Sequence, residues 1–135
     1  GFYQHGMKNF ARGNVVWLAS GGSNIRTALV DTADYTVDLA NHDFLDDVAG
    51  AGREETSGNM TLTDAAVDGI VDASDVTFLS TTGDPCEGII VYRFVTADAD
   101  SLPLFWWDSA SGLPVTLGGD VTVAWDNGAN KIAKI

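Results

Sequence analysis

One cysteine, two histidines and a large excess of carboxylates are the side chains from which any reaction centre in this 135-residue chain would have to be assembled. Cys86 lies in the run Asp84-Pro85-Cys86-Glu87, and an acidic setting raises a thiol pKa, which disfavours a nucleophile. His5 and His42 have no motif around them, and with one cysteine they give no zinc-ligand spacing. Ser57-Gly58 and Ser111-Gly112 lack the Gly-x-Ser-x-Gly setting of a nucleophile elbow. Gly50-Ala51-Gly52 is followed by Arg53-Glu54, where a phosphate loop needs Lys and then Ser or Thr. Oxygen-rich loops occur at Asp31/Asp34, Asp43/Asp46/Asp47, Asp72/Asp75 and Asp126/Asn127/Asn130. None follows the EF-hand ligand ladder, and Asp and Asn are ordinary turn residues. The expectation is therefore a protein without enzymatic activity, metal or cofactor.

Charge separates along the chain. Residues 1 to 30 carry Lys8, Arg12 and Arg26 and no carboxylate; all 19 acidic side chains fall between 31 and 130, against Arg53 and Arg93; Lys131 and Lys134 close the sequence, for a net charge of -12. An acidic body argues against nucleic acid as a partner, because phosphate binding needs clustered Lys and Arg. The basic ends have two readings: they dock on an acidic surface, or they lie beside the protein's own carboxylates. No run reaches the roughly 18 apolar residues of a membrane helix, so no membrane partner is expected. The lone cysteine fits synthesis in a reducing compartment. The Gly1 start reads as removal of an initiator, and His5 stands where a myristoylation motif needs Ser or Thr. With 45% hydrophobic residues, the length suits one domain over residues 1–135.

The elements that would position these residues are mostly short strands. Tyr3, Met7 and Phe10 recur at helical spacing within Phe2 to Ala11, weakened by Gly6 and stopped by Gly13. Asn14 to Leu18 and Ile25 to Val30, either side of Gly21-Gly22, read as a hairpin. A long polar connection follows from Asp31 to Ser57, anchored by Tyr35, Val37, Leu39, Phe44, Leu45 and Val48, with a single helical turn expected across Asp43 to Val48. Asn59 to Thr63, Gly69 to Val71 and Val76 to Ser80 are short strand candidates. Gly88 to Thr96 is apolar on both faces and reads as a central strand covered on each side. Val121 to Trp125 alternates apolar and small or polar residues, and Asn127-Gly128 predicts a turn that folds Lys131 to Ile135 back against it.

Leu102 to Asp108 places Leu104 and Trp106 on one face of a strand and Phe105 and Trp107 on the other. Burying one such ring stabilises by roughly 4 to 6 kcal/mol, from about 150 to 250 Å² at about 25 cal/mol/Å². Both faces should therefore be covered, by the N-terminal helix, the long connection or another subunit; a sugar platform is a further possibility. The fold class that emerges is mainly β: an antiparallel β-sandwich or barrel-like domain with a short N-terminal helix. Residues 1–13 would be the helix or docking arm and 14–135 the β domain.

The runs ALVDTADYTVDLANHDFLDDVAGAGRE (Ala28 to Glu54) and SGLPVTLGGDVTVAWDNGANKI (Ser111 to Ile132) resemble a family of small proteins of tailed bacteriophages. Its members share an N-terminal helix, the "ALVDT-x-DYT" and "HDFL-x-D" runs and a late "GG-D-[IV]-T-[IV]-x-W-x-NG" strand. They resemble virion structural components, some of them similar to head-decoration or cement proteins. Asn59 to Asp84 matches less well. The resemblance implies a protein made in the host cytoplasm and carried on the capsid surface, with the major capsid protein as partner and a homo-oligomer, trimer favoured, as assembly. The docking candidates are Phe2, Tyr3, Met7, Lys8, Phe10 and Arg12, whose basic charge suits an acidic shell. Leu104, Phe105, Trp106 and Trp107 are the candidates for oligomer packing. The alternative is a tail- or fibre-associated module that holds glycan on Trp106 or Trp107.

Overall fold

Ile25–Val30 (β1) and Gly88–Arg93 (β6) form the centre of a sheet because their β-branched and aliphatic side chains leave no polar face to turn to water. In the computed structural model, which describes residues 1–64, 69–129 and 131–135, Arg53–Thr56 (β2) and Leu102–Trp107 (β7) flank them in the order β2-β1-β6-β7. Leu62–Thr63 (β3), Ile70–Ala73 (β4) and Ala133–Lys134 (β9) make a second sheet, and Val76–Phe78 (β5) pairs with Val121–Val123 (β8). Every pairing is antiparallel. The register of β6 against β7 slips between Val91 and Tyr92, where Pro103 stands opposite; a proline has no N–H for the ladder and is accommodated at such an irregularity.

The large sheet is buried on both faces. Ile25, Leu29, Ile89, Val91 and Phe105 look toward the small sheets and pack with Leu62, Val71, Phe78, Val123, Trp125 and Ile132, which makes the sandwich. Ala28, Val30, Ile90, Tyr92 and Trp106 look the other way, onto Tyr3, Tyr35, Leu45 and Val48. The second cover comes from the long connection after β1, which has its own 3-10 turn at Leu45–Asp47, within the span expected to hold a helical turn. Gly88 is required where it is: a Cβ there would lie 2.0 Å from the Trp106 ring.

Two expected hairpins do not form. Asn14 to Leu18 is not a strand; only Ser23 returns to it, donating its N–H to the Val16 carbonyl at 2.7 Å. The Trp17 ring is drawn instead into the core, its indole N–H donating to the Asp72 carbonyl at 2.8 Å, while β1 takes long-range partners on both sides. Likewise β9 pairs with β4 and not with β8. β8 ends at Val123 so that Trp125 can reach the Trp107 ring, centroids 5.8 Å apart, and burying that ring outweighs a two-residue turn. Asn130, from the oxygen-rich set around Asp126, lies outside the described residues.

Candidate functional site

The N-terminal segment is built into the edge of the large sheet. Gly1 donates its nitrogen to the Trp106 carbonyl and accepts from the Trp106 N–H at 2.9 Å, and the Tyr3 N–H donates to the Leu104 carbonyl at 3.0 Å. Phe2 bridges Phe105. Gln4–Ala11 (α1) then lies against β7. This approach depends on Gly6, whose missing Cβ would meet the Pro103 carbonyl oxygen at 2.3 Å. Asn9 is buried and donates its side-chain amide to the His5 carbonyl, and Gly13 at φ +77° turns the chain away after the helix.

This placement sorts the six docking candidates. Tyr3 is fully buried, so its side chain is an internal anchor and not a contact surface. Met7 and Phe10 are half-buried, with Phe10 stacked on Phe105 at 6.1 Å. Phe2, 36% exposed, and the exposed Lys8 and Arg12 form the outward rim. Neither Lys8 nor Arg12 has an ion-pair partner: the single pair among the described residues joins Arg53 to Asp98 at 2.5 Å. Among the described residues, Lys8 and Arg12 are therefore not paired with the protein's own carboxylates. Arg26, by contrast, lies over the Phe94 ring at 3.5 Å and donates to the Asn59 side chain.

Of the four oligomer candidates, Leu104, Phe105 and Trp106 are buried within the chain, and only Trp107 is partly exposed. The cover is internal, from the Tyr3–Tyr35 side on one hand and from Met7 and Phe10 of α1, Trp17, Trp125 and the small sheets on the other. Trp106 also donates to the Asp108 carboxylate at 3.2 Å, so it offers no sugar platform. Trp107 borders a cavity of about 200 Å³ shared with Trp125, Asp126 and Lys131. The Trp125 indole N–H is buried without a hydrogen-bond acceptor.

The titratable side chains have structural occupations. Cys86 is fully buried, and its thiol is pushed up to about 12 by burial and then by Glu54, Asp31, Glu87 and Glu55. His42 joins a chain that the sequence did not disclose: the Tyr3 and Tyr35 hydroxyls are 2.7 Å apart, and Tyr35 reaches His42 Nδ1 at 2.9 Å. Burial raises the pKa of both tyrosines, and for Tyr3 the hydrogen bond to Tyr35 adds to it. Partners 32 residues apart leave no local signal, although Tyr35 was legible as an apolar anchor. Asp31, Asp34, Glu54 and Asp84 also converge, each offering an oxygen within 4.8 Å of the others; only the Asp31/Asp34 spacing hinted at this.

No protein-family model matches the chain, and no curated protein matches it either.

Proposed function

We propose that the chain is a non-enzymatic structural protein of a tailed bacteriophage, which binds the outside of the capsid and reinforces contacts between major capsid subunits. The observation that carries this reading is the exposed charge at α1: Lys8 on the helix and Arg12 at its C-cap stand exposed, as does Phe2 ahead of it, on a molecule whose net charge is -12. Such a rim suits an acidic, partly apolar partner surface, and the rigid seating of α1 on β7 lets it dock without an ordering cost. The resemblance of Ala28 to Glu54 and Ser111 to Ile132 to phage virion proteins supports the same assignment. The occupied state of Cys86 and His42 is in keeping with a role that needs no catalysis. Binding as a homo-oligomer, a trimer in the favoured form, would multiply modest contacts through multivalency.

The test is binding of the purified chain to capsids that lack it, followed by cryo-EM of the virion. Density repeated over the icosahedral shell is expected, and Lys8→Glu with Arg12→Glu should weaken binding at least tenfold while leaving the fold intact. Density on the tail alone, or nowhere on the particle, would sink the proposal.

The second reading, a glycan-binding module, draws on Trp107 at the mouth of its cavity. It predicts a change in tryptophan fluorescence on addition of host polysaccharide that Trp107→Ala removes. A decoration protein gives no such response.

A further inference from the structure

Among the described residues β2 and β5 each pair with one neighbour only, β1 and β8 respectively, so each carries backbone N–H and C=O groups on its open side. Glu55 and Thr56 of β2 and Val76 to Phe78 of β5 line the same groove. Residues 55 to 61 form one wall and residues 74 to 79 the other, around a volume of about 480 Å³. Both ends are pinned. At one, the Ser74 N–H donates to the Thr61 carbonyl at 2.9 Å; at the other, the Thr82 N–H donates to the Glu55 carboxylate at 3.0 Å. Between the pins no backbone hydrogen bond joins the two walls among the described residues. At about 3.3 Å per residue, the wall from Asp75 to Leu79 matches roughly five residues of extended chain.

We propose that this groove receives an extended, basic segment of the protein on which the chain docks, added as a strand between β2 and β5. The inference rests on the decoration reading for the identity of that protein. Charge selects the occupant: the ionisable residues lining the groove are Glu55 and Asp75, each accepting a backbone N–H, while the Arg26 guanidinium is held at the wall by Asn59 and by the Phe94 ring. Glu54 and Asp84 lie just beyond the Thr82 end, where a Cβ on Gly83 would meet the Glu54 carboxylate at 2.0 Å. Leu79, on the rim and 72% exposed, is the most exposed large apolar residue of the described chain; it offers a seat for an apolar side chain next to each basic one. Main-chain hydrogen bonds supply the affinity in this mode, and alternate side chains supply selection.

The test uses nitrogen-15-labelled protein and a capped hexapeptide of alternating lysine and valine, with a version N-methylated on alternate residues as control. Shifts confined to the amides of 55 to 61 and 74 to 79 are expected, with affinity at least tenfold weaker for the methylated peptide. Gly58→Arg should abolish binding: a Cβ there meets nothing within 4 Å and Gly58 has no positive φ, so the backbone accepts the substitution while bulk and charge are added to a residue that lines the groove. Leu79→Asp serves as a second variant at an exposed position. Absence of shifts, shifts spread over the acidic surface, or equal affinity for the methylated peptide would overturn the proposal. Protection of the same amides by protein concentration alone would assign the groove to a second copy and also overturn it. If unmodified protein fails to bind capsids, the decoration reading falls while the peptide titration still decides the groove; if Gly58→Arg binds capsids undiminished, the groove falls while decoration stands.

Discussion

Cys86 shows how far a residue's behaviour is set by what folds around it. Its neighbours Asp84 and Glu87 already disfavour a thiolate, but the larger effect is burial, which no local run reveals. The thiol ionises near its ordinary value in the unfolded chain and only near 12 in the folded one. Below the unfolded pKa both states hold the proton and Cys86 leaves stability unchanged. As pH rises from there toward 12, the unfolded state alone releases its proton and stability is lost. Denaturant melts at pH 8 and pH 10 should therefore show a smaller alkaline loss for Cys86→Ala than for the parent protein. Tyr3 and Tyr35, also raised, would still contribute to whatever loss remains. An identical loss in both proteins would mean that the thiol is accessible and ionises freely.

At the level of elements, α1 illustrates a helix whose position matters more than its propensity. Gly6 weakens an eight-residue helix, yet a Cβ there would run into the Pro103 carbonyl and Leu104, so the helix sits this close to β7 only with glycine at that position. Gly6→Ala would gain helix propensity and lose that approach. Overpacking of this kind costs about 1 to 3 kcal/mol, so a net destabilisation is expected in urea titration, accompanied by increased amide exchange at Tyr3 and along β7. A stabilised variant would show that the helix is free to lift from the sheet. Spacing alone marks the apolar stripe Tyr3, Met7 and Phe10, and the packing of α1 on β7 makes it a cover for that strand.

Across the whole molecule, charge is poorly compensated. A net charge of -12 with one ion pair among the described residues means that repulsion between carboxylates, and not attraction between pairs, dominates the response to salt. Raising NaCl from about 20 mM to about 500 mM shortens the Debye length from roughly 20 Å to roughly 4 Å, and the melting temperature should rise. A fall would point to ion pairs that matter more than the repulsion. The proposed capsid binding through Lys8 and Arg12 should move the other way and weaken with salt, so the two measurements separate self-repulsion from docking.

Local pattern was enough to determine a mainly β chain, the cores of β1, β6 and β7, the helix at the start and the 3-10 turn in the long connection. Periodicity and turn chemistry act between neighbours in sequence, and in those places they agree with the fold. Which strand pairs with which was decided only by tertiary structure. The predicted hairpins at Gly21-Gly22 and Asn127-Gly128 gave way because burying Trp17 and Trp125 in a shared core is worth more than a short-range ladder. The docking candidates divided in the same way: residue type marked Phe2 to Arg12 as basic and amphipathic, and only packing against β7 separated the buried Tyr3 from the exposed Lys8 and Arg12. The groove between β2 and β5 had no sequence signal at all, since it is made by strands that do not meet.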